Sequence, residues 1–343
     1  EARFSAKAEV TLYYDVETDP NSETPGVTAA KDAGGSVTPT TQTVRPATGT
    51  VTSGETEIGA EATAKKGYHF EKWTLAAGNT TVTVGKDGEL LDEKGNKAGA
   101  KLDADTVARY AKKNGLYAEA RFVAHFAEDP AVTIPYQAKE HGKVEPGAAT
   151  QTVENGVITE TLRPVTGNAE GAYPVPEDGY ELEKWVKQVE GKDAVEILAK
   201  DLPADALTDA NGNKLFKPDK EDGQNVKATY TAYFKARTDL DYTVNYWYEE
   251  KDKDGKSSFK KDSALTQTAP VGTDGTKATF GTPIPDSRAV KPRYLKKNYV
   301  FAKRTGPDNV TADSTKNIVN IYYLLDVKGT TDPDQGDETA DIY

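Results

Sequence analysis

Hydrophobic and polar residues alternate in short runs along much of the chain, which is the pattern of half-buried β-strands. The clearest run lies at 119–126 and recurs at 228–234. One predicted face holds small and aromatic side chains: Ala120, Phe122, Ala124 and Phe126, then Ala228, Tyr230, Ala232 and Phe234. The outward face holds Arg121, Val123 and His125, then Thr229, Thr231 and Tyr233. These runs predict a mainly β chain.

A helical pattern is clearest at 104–114. Asp103 fits the N-cap position and Gly115 fits a C-terminal stop. The apolar stripe of this helix would be Val107, Tyr110 and Ala111. The corresponding stretch later in the chain, 203–207, is long enough only for a short helix. The predicted fold class is therefore mainly β with a minor α+β component.

Several segments occur twice in the same order, which identifies an internal repeat. They are 44–49 with 162–167, 67–73 with 179–185, and 92–97 with 209–214. We interpret 9–130 and 131–238 as two copies of one module. Residues 1–4 have the same sequence as 119–122, so we expect 1–8 to be the last strand of a preceding copy.

The remaining chain has a different sequence. Residues 239–327 open and close with strongly apolar β-type runs at 242–248 and 317–325, which predicts a third module with its own core. Residues 328–343 hold five acidic residues and one Lys, together with Gly and Pro, a composition typical of a solvated linker or tail.

The motif Gly-Tyr-x-(Phe/Leu)-Glu-Lys-Trp ends at Trp73 in one copy and at Trp185 in the other. Simple alternation would place each Trp on the face opposite the preceding apolar residues. Either a bulge redirects the indole or the indole covers the other side of the sheet. Trp could also be a platform for a sugar, but its recurrence within a whole repeated strand favours a structural role.

Acidic residues outnumber basic ones among the 343 residues, and the net charge is −12. An acidic chain lacks the basic face that binds nucleic acid. Cys is absent, so disulfides, thiolate metal sites and cysteine nucleophiles are excluded. No apolar run approaches the about 20 residues that a membrane span needs, so we expect no membrane insertion by this fragment.

Candidate catalytic chemistry is sparse. The three histidines, His69, His125 and His141, are scattered and none has a His at the equivalent position of the other copy. Motifs for zinc proteases, serine hydrolases, phosphate loops and dinucleotide sites are missing. We expect no enzyme activity, no cofactor and no metal, although a pair of glycosidase carboxylates can be formed by residues distant in sequence.

Alternating acidic and amide residues at 209–213 suggest a calcium loop, but the Gly and the bidentate Glu stand at the wrong positions for one. Asn and Gly at these positions favour a hairpin turn instead. The segment 252–255 receives the same interpretation.

The repeated Gly-Tyr motif and the closing Ala-x-(Phe/Tyr)-x-Ala-x-Phe strand resemble the internalin B-type repeats of Gram-positive surface proteins. The long insertions between the Trp and the closing strand depart from that pattern. Residues 239–327 resemble a mucin-binding-protein (MucBP-type) domain through the runs 242–246, 271–275 and 318–323. The resemblance implies β-grasp-like modules in tandem, elongated, on a secreted protein at the bacterial cell wall or surface.

Three functions are consistent with this resemblance. The first is a non-catalytic stalk or adhesin segment, monomeric within a longer chain, that spaces or presents a binding region. The second is a ligand-binding module for a mucin, a glycan or a host extracellular protein, centred on the third module. Its candidate residues are on the outward face of the first strand there: Thr243, Asn245 and Trp247. The third is an accessory region of a secreted glycan-active enzyme.

Overall fold

The structure is a computed structural model that describes residues 7–17, 34–285, 293–294 and 297–326. Most of the expected N-terminal strand at 1–8 and the expected tail at 328–343 lie outside these residues. The chain folds into two compact units. Unit 1 is 1–132 with 161–168 and 219–226, and unit 2 is 133–160, 169–218 and 227–343.

The first repeat folds around a four-stranded sheet in the order β3-β1-β9-β5, beside a three-stranded sheet β2-β4-β6. In the first sheet, β1 and β9 are parallel neighbours and the outer strands are antiparallel to them. Its elements are β1 (Val10–Val16), β2 (Gly35–Thr38), β3 (Thr41–Val44), β4 (Ala60–Ala64), β5 (Tyr68–Ala77), β6 (Lys101–Leu102), α1 (Ala104–Ala111), β7 (Lys112–Lys113), β8 (Leu116–Tyr117) and β9 (Ala120–Glu128).

The predicted helix begins as expected but ends earlier. The Asp103 side chain accepts a hydrogen bond from the Thr106 N–H at 2.8 Å, and the predicted apolar stripe is buried. The helix stops at Ala111 because β7 and β8 pair as a hairpin. Asn114 and Gly115 form its turn, with φ of +51° and +78°, so the predicted helix stop is a hairpin turn.

The second repeat has the same central arrangement in a six-stranded sheet, β12-β13-β10-β17-β15-β16, beside the pair β11-β14. Strands β10 and β17 are parallel and β15 is antiparallel to β17. The elements are β10 (Val132–Ala138), β11 (Gly142–Pro146), β12 (Thr152–Glu154), β13 (Val157–Leu162), β14 (Ala172–Pro176), β15 (Tyr180–Gln188), β16 (Val195–Leu198), the short 3₁₀ helix Ala199–Asp201 and β17 (Thr229–Ala236).

The third module has a five-stranded sheet in the order β19-β18-β22-β21-β20, again with a central parallel pair, β18 and β22. The neighbouring strands β19 and β21 are antiparallel to this pair. The elements are β18 (Thr243–Lys251), β19 (Ser257–Thr268), β20 (Arg293–Tyr294), β21 (Lys297–Thr305), the 3₁₀ helix Ser314–Lys316 and β22 (Ile318–Leu325).

All three modules share one irregularity, a shift of register at the same place in the strand antiparallel to the closing strand. It falls after Phe70 in β5, after Leu182 in β15 and after Phe301 in β21. Because of this bulge, Trp73 and Trp185 pair with the inward residues Ala124 and Ala232. Both indoles are fully buried, so the bulge interpretation is confirmed and the sugar-platform interpretation of these two residues is wrong.

The closing strands bury the predicted faces, with Phe126 and Phe234 only half-buried at the ends. On the predicted outward face, Thr231 is nevertheless buried and accepts a hydrogen bond from the Gln137 amide at 3.0 Å. The mainly β fold class is confirmed. The β-grasp-like nature of the modules and their boundaries stay predictions.

Candidate functional site

The candidate residues Thr243, Asn245 and Trp247 lie on one face of β18, as alternation predicts. In the parallel register with β22, Asn245 is opposite Asn320 and Trp247 is opposite Tyr322. Thr243 and Trp247 are half-buried, whereas Asn245 is only 7% exposed. The Asn245 side chain is therefore buried among its neighbours on this face of the sheet and is largely inaccessible to solvent.

A shared amide oxygen links these side chains. The Trp247 indole N–H donates to Asn320 Oδ1 at 2.8 Å, and the Asn245 amide donates to the same oxygen at 3.2 Å. The Asn245 Oδ1 is buried and has no partner among the described residues. The indole is therefore held in a fixed orientation by a neighbouring strand of its own module.

Aromatic rings continue from Trp247 across the sheet. The Tyr322 ring lies nearly parallel to the indole, with a centroid distance of 6.2 Å, and Phe259 meets Tyr322 edge-on at 5.1 Å. The Lys303 ammonium lies 4.9 Å from the centre of the Tyr322 ring. We call Trp247, Tyr322, Phe259 and Lys303 the aromatic row.

The aromatic row is partly open to solvent, since Phe259 is 40% exposed, and the exposed Ile318 and Leu324 lie on the same strand as Tyr322. Beside the row, the buried Glu249 accepts hydrogen bonds from the Leu325 N–H at 3.0 Å and from the Ser257 hydroxyl. The Ser257 hydrogen bond, opposed by burial and assisted by Leu325, lowers the pKa of the Glu249 carboxyl. Aromatic rings that are flanked by a cation and by amide groups can stack on the apolar face of a ligand and bind the polar groups at the edge of that ligand.

Sequence reasoning identified one strand of this surface and missed Asn320, Tyr322, Phe259 and Lys303. Asn320 and Tyr322 do alternate with buried residues in the closing run at 317–325, which was the available signal. The parallel pairing of β18 with β22, which brings them beside Trp247, joins segments far apart in the chain and has no local signature.

The histidines do not converge. His69 Nδ1 lies 3.0 Å from an oxygen of Asp129, whereas His141 stacks on Tyr180 with a centroid distance of 4.0 Å. His125 faces outward as predicted and contacts Thr74 and Glu17. Within the part of the chain that the structure describes, no three His, Asp or Glu side chains gather as a metal ion requires.

The suspected calcium loop is a hairpin turn, as predicted. Asp209 Oδ1 accepts from the backbone N–H groups of Asn211 and Asn213 at 2.9 and 2.8 Å, and Gly212 has φ of +84°. The same turn forms at Asp92 and at Asp252. Its carboxylates are occupied by backbone donors.

Comparison with protein families shows that residues 26–87 are similar to a divergent InlB B-repeat domain. The matched part includes β2 to β5 and the first Gly-Tyr motif. The chain thus contains an InlB-like repeat, and such repeats occur in surface-exposed bacterial proteins. Neither a curated protein nor a solved structure matches the chain.

The match leaves the resemblance of the third module to a MucBP-type domain, and the tandem arrangement of InlB-type repeats, as predictions. Among the helices that the structure describes, none is both long enough and apolar enough to cross a membrane.

Proposed function

We propose that this chain is a non-catalytic stalk segment of a bacterial cell-surface protein, located outside the cell, which spaces or presents a binding region. The observation that carries the proposal is the recurrence of one sheet arrangement, with one bulge at one position, in three successive modules. Repeated modules supply length, and a stalk needs length more than it needs a unique site.

The use of the aromatic residues supports the same proposal. In both repeats the large rings fill the cores: Tyr14 stacks on Phe122 at 5.5 Å and Tyr136 stacks on Tyr230 at 5.7 Å. The acid–base candidates are engaged separately, as the three histidines show. General acid–base catalysis needs such groups within reach of one substrate.

A second candidate function is ligand binding by the third module. The aromatic row favours it, because there rings lie on a sheet surface instead of in a core. The partner would be a mucin, a glycan or a host extracellular protein. Trp and Tyr at a partly exposed surface are frequent in such contacts.

Binding measurements on the full chain separate the two functions. The unmodified chain, Trp247→Ala, Tyr322→Ala and the control Val271→Ala would be tested on mucin and glycan arrays and on extracellular matrix proteins. Val271 is a suitable control because it is 66% exposed in the same module and outside the aromatic row.

A spacer binds nothing in any of the four forms. A ligand-binding module binds as the unmodified chain and as Val271→Ala, and loses at least about five-fold in affinity in the two aromatic variants, since truncating an important ring at an interface costs more than about 1 kcal/mol. Circular dichroism of each variant confirms that its fold is retained.

A further inference from the structure

Within unit 1, the turn that opens the first Gly-Tyr motif is in contact with the segment 161–168 of the second repeat. Gly67 is buried, has φ of +83°, and its carbonyl accepts from the Asp129 N–H at 2.8 Å. A methyl group added at Gly67 would overlap the side chain of Val165. Glycine is needed here for its backbone angle and also for the close approach of Val165.

The Glu128 carboxylate, beside this turn, forms hydrogen bonds with the same segment. Glu128, at the end of β9, accepts hydrogen bonds from the N–H groups of Val165 at 2.5 Å and Thr166 at 3.0 Å, and from the Thr166 hydroxyl at 2.8 Å. Burial acts to raise the pKa of the Glu128 carboxyl, but these donors and the nearby Arg163 outweigh it and lower the pKa. The charged form is therefore the one that holds the turn.

The segment 163–167, which contacts Gly67 and Glu128, is held in a turn by hydrogen bonds of its own. The buried Asn225 donates from its amide to the carbonyls of Arg163 and Gly167, at 2.9 and 2.8 Å, and so closes the turn 163–167. The adjacent hairpin turn at 221–224 places Asp222 next to Lys66, with 2.6 Å between ammonium nitrogen and carboxylate oxygen. The Lys220 ammonium also donates to the Val165 carbonyl.

The same contact recurs one repeat later, within unit 2. Gly179 is equivalent to Gly67: it is buried, has φ of +87°, and its carbonyl accepts from the Arg237 N–H at 2.9 Å. A methyl group at Gly179 would overlap the Phe280 ring of the third module, and that ring also meets Tyr180 edge-on at 5.3 Å. Ala236 stands where Glu128 stands, so this second contact has no carboxylate of that kind.

We propose that the Gly-Tyr turn of each repeat is a seat that receives a turn of the module following it in the chain, and that Glu128 locks the first seat. The partner that fits the first seat is a tight turn that offers two successive backbone N–H groups and a hydroxyl to Glu128, with the side chain of the first donor resting on Gly67. In the third module Asn298 takes the position of the glycine, since its carbonyl accepts from the Asp326 N–H at 3.0 Å. This inference does not depend on the chain being a stalk.

Zero-length carbodiimide crosslinking of the full chain tests the first seat, because Lys66 and Asp222 are exposed and close enough to form an amide. Mass spectrometry of the digest would measure the Lys66–Asp222 crosslink in the unmodified chain, in Gly67→Ala and in Glu128→Ala. Gly95→Ala and Glu71→Ala are the matched controls. Gly95 has the same φ of +83° with open space around it, and Glu71 is exposed on the adjoining strand.

If the turn docks at Gly67 and Glu128 as proposed, the crosslink forms in the unmodified chain and in both controls. Its yield falls clearly in Gly67→Ala and in Glu128→Ala. Hydrogen exchange gives a second readout. In Glu128→Ala the amides of Val165 and Thr166 should exchange on the order of ten-fold faster, because hydrogen bonds to a charged acceptor are lost, while core amides of β9 keep their protection. Absence of the crosslink in the unmodified chain, or equal yields and equal exchange in all variants, overturns the proposal.

Discussion

A buried tyrosine whose hydroxyl donates to a polar side chain occurs in each module. The hydroxyl of Tyr14 donates to Gln42 at 2.9 Å, that of Tyr136 donates to Glu160, and that of Tyr246 donates to Gln267 at 3.3 Å. Gln42 and Glu160 occupy equivalent positions of the two repeats. The buried tyrosine hydroxyl is thus hydrogen-bonded in both repeats, although its acceptor is an amide in the first repeat and a carboxylate in the second.

These tyrosines predict a loss of stability in alkali. Burial raises the pKa of Tyr14 and Tyr136 well above the ordinary 10.0, and for Tyr136 the Glu160 hydrogen bond adds to the effect. Below pH 10.0 both folded and unfolded states keep the proton, so the contribution is constant; above it only the unfolded state ionises readily, and stability falls as pH rises.

A spectroscopic titration measures this effect. The absorbance of tyrosinate from Tyr14 and Tyr136 should appear together with the loss of the sheet signal in circular dichroism. Tyr14→Phe and Tyr136→Phe should each remove part of the delayed absorbance. Ionisation of both residues near pH 10 in a folded chain would contradict the buried pairing.

The two motif tryptophans predict unequal effects of one substitution. The Trp73 indole N–H donates to the Ala100 carbonyl at 3.2 Å, whereas the Trp185 indole N–H is buried without a partner among the described residues. Trp73→Phe removes a hydrogen bond, although the Ala100 carbonyl still accepts from the Ala62 N–H at 3.0 Å, whereas Trp185→Phe removes an unpaired donor. Trp73→Phe should therefore destabilise its repeat by about 1 kcal/mol more.

Native-state hydrogen exchange of β9 and β17 amides in the full chain provides the two free energies of opening. The stability of each repeat is then measured from the amides of its own closing strand. Equal losses in the two variants would show that the hydrogen-bond difference has no energetic effect.

At the scale of elements, the bulge in β5, β15 and β21 determines which side chains are buried. It inserts one residue into a strand whose alternation would otherwise turn the Trp outward. The insertion could not be located from the sequence, because the inserted residues Glu71, Glu183 and Ala302 share no property that marks a bulge. Sequence reasoning could offer it only as one of two alternatives.

Deletion of Glu183 tests the role of the bulge. Without the extra residue, β15 either loses its pairing with β17 or turns Trp185 outward, and the cost should be comparable to removing a buried Trp, about 3–5 kcal/mol. Glu183→Ala keeps the backbone and, since Glu183 is exposed, should change stability by less than about 0.5 kcal/mol. Thermal unfolding and near-ultraviolet circular dichroism of both variants give the answer.

Local patterns were sufficient for much of the fold. The alternating faces of the closing strands, the Asp103 cap and the Asp209 turn could be predicted because each depends on residues close in sequence. The end of α1 could not, since Asn114 and Gly115 suit both a helix stop and a hairpin turn. The aromatic row could not be completed either, because Tyr322 and Phe259 reach Trp247 only through strand pairing.

At the scale of the whole chain, the third module was judged different from the repeats because its residues differ. Its sheet nevertheless has the same parallel central pair and the same bulge, and Arg304 takes the place of the motif Trp, five residues after Tyr299. One buried aromatic core lies in the first repeat, around Tyr14 and Phe122, and another lies in the third module, around Tyr248 and Tyr323, which stack at 5.1 Å. Separate cores are what a chain built from successive modules requires.

Small-angle X-ray scattering of the full chain tests the proposed stalk most directly. Three modules of about 110 residues, each with a radius of gyration near 13 Å, placed end to end would give a maximum dimension on the order of 100 Å. We expect that extended profile, unchanged across protein concentrations as for a monomer. A radius of gyration near the about 20 Å of a single globule of this length would contradict a spacing function.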